Sequence, residues 1–299
     1  MRLYFKQIYI LIFSGLLLLF SCKTEDKEQH QKETVSKEEI DTSNVLLKYN
    51  ETLFTLPSPY QASYQISKSN IDLNKNLLNA PENYRNYNTS FKRALNIGIY
   101  GTDLGYLNAY DQGTDCISYF STIKKMSEEL GIQGAINAEK VEMIEENIQE
   151  QDSLLHFLTS TYRVFDSYLK QNNRKEIGAL IIAGGWIESV YILSQAVLES
   201  NDRTLINRLG EQKHPLDNLI ELLSSYYYDS DNYTDLIDAL VDLAYEFDGI
   251  IYNYYYKEPK IYPDKKLTVI QSESNVVISE YHIRTIAEKI ERIRNNITG

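Results

Sequence analysis

Two stretches, Ala94 to Ala109 and Ile177 to Leu193, constrain this chain's fold more than any other feature. The first carries Ala94, Gly98, Gly101, Gly105 and Ala109 at steps of four, three, four and four, which puts them on one face of an α-helix. Glycine inside a helix costs about 1 kcal/mol relative to alanine. Three glycines on one face therefore imply a neighbour whose backbone comes close. The second stretch is apolar nearly all round, the signature of a buried central helix. The two are expected to touch, and Gly101→Leu is expected to loosen the domain.

Helical spacing of apolar residues extends over most of the remaining chain. It predicts helices near 58–78, 89–111, 115–130, 138–150, 152–172, 174–200, 202–211, 216–228, 233–257 and 279–297. Start signals support several of these: Pro59, Thr89-Ser90, Asn137 and the Asp231–Thr234 stretch. Leu267–Ile270 and Asn275–Ile278 alternate weakly, and a small β-hairpin over 267–278 is expected. The six prolines fall at element edges, and no Pro/Gly/Ser-rich linker divides the chain. The expected fold class is all-α: a single multi-helix domain of about ten helices spanning 43–299.

The first 42 residues have a different character. Arg2 and Lys6 precede an apolar run of 13 residues, Ile8 to Phe20, which ends at Ser21-Cys22. A basic start, an apolar run and a small residue at the cut make up a secretory signal. The run is shorter than the roughly 20 apolar residues that a spanning helix needs. Leu19-Phe20-Ser21-Cys22 looks like a lipobox, although Phe20 is bulkier than usual there. A signal peptide over 1–21 and lipid attachment at Cys22 follow, with the acyl chains (palmitate among them) holding the protein to a membrane. One acyl chain binds marginally, whereas two or more anchor stably. Lys23, not Asp, follows the cysteine, which favours the outer membrane over inner-membrane retention. Lys23-Thr24-Glu25-Asp26 also resembles acidic export tags of surface lipoproteins, so both the periplasmic and the surface face stay open. Residues 23–42 hold four Lys, seven acids and no aromatic. Such a segment buries too little apolar surface to fold alone, and residues 22–42 are read as a flexible charged tether.

Charge narrows the partners. The whole chain has 30 basic and 42 acidic residues, net −12. Removal of the signal peptide would leave 28 against 42, net −14. Such a protein is repelled by nucleic acid, which is excluded as a partner. With Cys22 acylated, Cys116 has no disulfide partner within the chain. It is read as a small buried residue rather than a nucleophile.

Tyr87–Leu104 and the Ala183-Gly184-Gly185-Trp186-Ile187-Glu188-Ser189-Val190-Tyr191 stretch resemble segments of uncharacterised all-helical lipoproteins of Bacteroidota. That resemblance covers most of residues 50–299. It implies a cell-envelope address and an all-helical fold, and no chemistry.

No catalytic motif stands out. His30, His156, His214 and His282 are too far apart in sequence for zinc-ligand spacing. Asp229–Asp235 has the beginnings of a calcium loop but lacks the glycine and the closing glutamate, with Leu240 in the latter's place, and is read as a helix cap. No metal or cofactor is expected. Asp103 and Glu188 are acids inside otherwise apolar helices, and they are the candidate catalytic pair. The structural alternative has each accepting hydrogen bonds from Tyr, Asn or Arg93. Tyrosine is the compositional anomaly, 25 of 299 residues. Tyr106, Trp186, Tyr252 and Tyr256 are candidate ligand-binding residues, with Tyr245, Tyr252 and Tyr256 placed on one helical face. The sequence points to a membrane-anchored envelope lipoprotein whose helical domain binds a protein or small molecule without catalysis. The alternative is a glycan-directed hydrolase using Asp103 and Glu188 in a Tyr-lined cleft, and a third reading is a structural spacer.

Overall fold

A computed structural model of the chain describes residues 44–49, 52–57, 59–135, 171 and 173–299. These residues are mostly helical with a few small antiparallel strands. Eight α-helices occur among them: α1 (Pro59–Lys68), α2 (Ser90–Ala109), α3 (Gly113–Glu129), α4 (Lys175–Ser200), α5 (Arg203–Gly210), α6 (Lys213–Ser224), α7 (Asp231–Asp248) and α8 (Glu280–Thr298). The helices expected near 138–150 and 152–172 lie outside the described residues.

The centre is the pair α2 and α4, packed along their lengths as the small-residue stripe predicts. A Cβ on Gly98 would overlap the Ile181 carbonyl and lie 2.6 Å from the Gly185 nitrogen. In the other direction, a Cβ on Gly184 would overlap the Leu95 carbonyl. The Thr102 hydroxyl donates to the Gly185 carbonyl at 3.0 Å, which closes the contact. The tightest approach thus falls at Gly98, and Gly101 is only half-buried. Length and apolarity would suit α4 to a membrane, but 83% of its most apolar window is buried, so here it is the core helix. Around this pair, α3 covers α2, α8 packs on α4 and α7, and α1 lies against both central helices.

Local signals account for some of the helix starts. The Thr89 hydroxyl accepts from the Lys92 N–H and caps α2. Asp202 does the same for α5 through Thr204 and Leu205. The helix expected over 58–78 stops at Lys68, and Asn70 then takes a left-handed backbone (φ 54). Residues 75–77 and 81–86 continue as 3-10 turns.

The strands go beyond the one small hairpin expected over 267–278. The domain's described residues begin with a hairpin, β1 (Asn44–Tyr49) paired antiparallel with β2 (Thr52–Pro57). The helix expected over 233–257 ends at Asp248, and β3 (Ile251–Tyr255) follows Gly249. Then come β4 (Lys260–Tyr262), β5 (Leu267–Val269) and β6 (Glu273–Val277). The strands expected at 267–270 and 275–278 exist but do not pair with each other. Instead β3 pairs with β6, Tyr252 opposite Val276, and β4 pairs with β5, Ile261 opposite Thr268. Residues 251–277 therefore form one long hairpin arm that turns at 263–266. Between its two ladders, four residues (256–259) face three (270–272), a bulge. The Ser272 hydroxyl bridges it, accepting from the Lys257 N–H and donating to the Lys257 carbonyl.

Candidate functional site

An acid on the inner face of a packed helix must find a partner or hold a proton. Asp103 of α2 and Glu188 of α4 both face the interface of those helices, and both have no exposed surface. The structure brings them near enough that each shifts the other's protonation. Arg294 of α8 completes the cluster. Its guanidinium grips Glu188 in a fork, Nε to Oε2 at 3.0 Å and Nη2 to Oε1 at 3.1 Å. The same Nη2 donates to the Leu77 carbonyl at 2.9 Å, and the guanidinium carbon lies 4.8 Å from the Tyr191 ring centre. Asp103 in turn accepts from the Asn79 backbone N–H at 3.1 Å.

The electrostatics fit a cluster that holds one proton. Burial, and then the neighbouring Glu188 carboxylate, push the Asp103 carboxyl well above the ordinary range. Burial also raises Glu188, while the Arg294 charge and hydrogen bonds work against that rise. Two acids against one guanidinium are neutral only with a proton on one acid. Asp103, which lacks the arginine fork, is the acid that carries it; its Oδ1 has no hydrogen-bond partner among the described residues.

Asparagines extend this polar thread through the core. The Asn79 amide donates to the Tyr87 hydroxyl (2.9 Å) and to the Asn96 side-chain carbonyl (3.1 Å). The Asn96 amide donates to the Lys92 and Ile297 carbonyls. The Tyr100 hydroxyl donates to the Ala80 carbonyl at 2.9 Å. The thread ties the non-helical segment around residues 77–80 to α2, α4 and α8. Arg93, weighed from sequence as a partner for the acids, pairs with Glu129 at 3.3 Å instead.

Both acids thus converge, and one is poised as a proton carrier, yet neither is exposed. A glycoside bond must sit between two accessible carboxyls, and this pair offers it no surface. Tyr106 and Trp186 are likewise in the core, 1% and 4% exposed. Tyr252 is half tied down, its hydroxyl donating to the Gly210 carbonyl at 2.7 Å. Tyr256 stands 70% exposed. Tyr245, Tyr252 and Tyr256 share no helical face, because the run from Ile251 is a strand. Its aromatic and β-branched content suits a pleated surface, and that outweighs the helical spacing. Cys116 is fully buried, its thiol pushed up to about 12 mainly by burial. Among the described residues no group of three His, Cys, Asp or Glu is arranged to hold a metal ion.

The accessible surface with distinct chemistry is the hairpin arm. Tyr254, Tyr255, Tyr256, Ile261 and Ile270 are all more than half exposed. Its root is fastened to α5: Val276 fills the space where a Cβ on Gly210 would lie, and Arg203 donates to the Asn275 side chain and the Val276 carbonyl. A cleft of about 620 Å³ opens beside that root, lined by Val197, Leu198, Arg203, Ile206, Ile278 and Ile283 among others. The acids do not line it. Sequence reasoning found Asp103 and Glu188 but missed Arg294. The signal was present: Arg294 stands in the stripe Ile283, Ile286, Ile290, Ile297, a basic residue at helical spacing among apolar ones.

Comparison of the chain with protein-family models, with curated proteins and with solved structures finds no match in any of the three.

Proposed function

We propose that this chain is a membrane-anchored envelope lipoprotein, acylated at Cys22 and held at the outer membrane, whose folded domain is a non-enzymatic protein-binding module. The envelope address rests on the basic start, the 13-residue apolar run and the Leu19-Phe20-Ser21-Cys22 motif. It accords with the resemblance to all-helical lipoproteins of Bacteroidota. The binding role is carried by one observation: the polar chemistry is sealed in the core while a tyrosine-rich arm faces solvent. Tyrosine offers a flat ring with a polar tip and few rotatable bonds, a combination favoured in protein contacts. Exposed aromatic surface on this scale marks a contact site more often than an idle surface.

The test has two arms. In the native host, Cys22→Ser should abolish incorporation of a labelled fatty acid and release the chain from the membrane fraction. A photoreactive residue at Tyr254 should give discrete protein adducts, and one at the more exposed Tyr228, outside the arm, should not. Label retained in Cys22→Ser removes the lipoprotein reading. Adducts that are the same from both positions remove the arm as the contact surface.

A further inference from the structure

We propose that the cleft beside the root of the arm is a binding site for an aliphatic carboxylate, with Arg203 as its anion partner. The site stands apart from the protein contact of the arm and does not depend on it.

At about 620 Å³ the cleft falls within the roughly 300–1,000 Å³ of small-molecule sites. Its apolar lining comes from three places: Val197 and Leu198 in the last turn of α4, Ile206 in α5, and Ile278 and Ile283 at the start of α8. All five are aliphatic. The described lining holds no aromatic ring, in a chain with 25 tyrosines. Nucleobases and other flat ligands are held by stacking on aromatic rings. The lining therefore selects against them and suits a flexible hydrocarbon.

Charge supplies the other half of the argument. Arg203 and Arg284 line the cleft with one acid, Glu280. Arg284 holds that acid, Nη2 to Oε1 at 2.6 Å and Nε to Oε1 at 3.1 Å. Arg203 has no ion pair among the described residues. Its Nη2 donates to the Asn275 side-chain oxygen and the Val276 carbonyl, both neutral. That leaves the Nε and Nη1 donors for a carboxylate. The adjacent Asp202 carboxylate is engaged with the Thr204 and Leu205 N–H groups as the cap of α5. The chain is net −12, yet the one unpaired charge on this described lining is positive, which makes the cleft complementary to an anion. Arg203 and Glu280 are also the first residues of α5 and α8. Two helix N-termini thus meet the cleft against the one C-terminus of α4, and their positive ends favour an anion.

Photolabelling of the full chain in lipid nanodiscs tests this, with decanoate carrying a diazirine near its methyl end as the probe. Adducts are expected on the 197–206 and 278–283 segments. Unlabelled decanoate should compete them away, and decanol, which lacks the charge, should do so about tenfold less well. Arg203→Gln removes the cation but keeps a donor for the Val276 carbonyl, so the root of the arm holds. Leu198→Glu leaves Arg203 in place and sets a carboxylate on the cleft wall, at a position 41% exposed that tolerates it. Each variant should lower the competed labelling about tenfold or more at unchanged melting temperature. Should Arg203→Gln lower the melting temperature, Leu198→Glu alone decides. Adducts only outside these segments, decanol competing as well as decanoate, or labelling that the folded variants leave unchanged each overturns the proposal.

Discussion

In the core around Arg294, three ionisable side chains lie out of water; in the arm of residues 251–277, tyrosines and isoleucines lie in it. The two regions invert the usual placement of polar and apolar groups, and each inversion has its own compensation. In the core, the Arg294 fork holds Glu188 and the Asn79 N–H donates to Asp103, whose raised protonation limits the buried charge. In the arm, nothing among the described residues covers the exposed rings, and the compensation we propose is a protein partner. A buried polar cluster of this kind is self-sufficient and points to architecture. An exposed apolar one is incomplete and points to association.

The contrast yields a graded set of expectations. Arg294→Ala leaves Glu188 buried without its cation and the Leu77 carbonyl without its donor. It should cost about 3–5 kcal/mol of folding stability, measured by urea unfolding; a loss below about 1 kcal/mol would mean that the cluster does not hold the core. Gly98→Ala forces a Cβ into the Ile181 carbonyl, and a cost of about 1–3 kcal/mol is expected. Gly101→Ala, at a half-buried position, should be neutral or gain up to about 1 kcal/mol from helix propensity. Equal costs at the two sites would contradict the placement of the contact.

Asp103→Asn is a subtler probe. The folded state binds the Asp103 proton more tightly than the unfolded chain does. The resulting stability is complete below the ordinary carboxylate range and is lost as pH rises toward the raised folded value. Asparagine keeps the shape of the side chain without titrating. Unfolding measured from about pH 4 to pH 8 should show the native chain losing stability relative to the variant as pH rises. Parallel curves would mean that Asp103 is ionised in the fold. The smallest effect is expected in the arm: Tyr254→Ser should change stability by no more than about 0.5 kcal/mol, because the ring is exposed. A larger loss would show that the arm is packed on the domain rather than held ready for a partner.

Legibility differed between the same two regions. The packing of α2 on α4 was readable, because small residues at helical spacing have few uses other than close approach. Asp103 and Glu188 were conspicuous as acids in apolar runs, and their burial together follows from that setting. Their shared partner was not conspicuous. Arg294 lies 106 residues beyond Glu188, and although its place in an apolar stripe marks it as buried, nothing local says which acids α8 carries it to. The arm was half readable. Leu267–Val269 and the 275–277 segment were visible as strands, but both partner strands were missed. Tyr252 and Tyr256 lie four apart, as on a helix, and only the break at Gly249 separates them from α7.

By itself the sequence determined the helical character of most of the described chain, the central helix pair and the acids set between its members, all of which follow from periodicity and composition within single segments. The tertiary structure alone decided that an arginine from α8 grips Glu188 beside Asp103, that the acids are closed to solvent, and that the tyrosine run forms an exposed ribbon. Those outcomes depend on contacts between segments far apart in the chain, where burial and pairing partners are set by how the helices assemble rather than by any local preference.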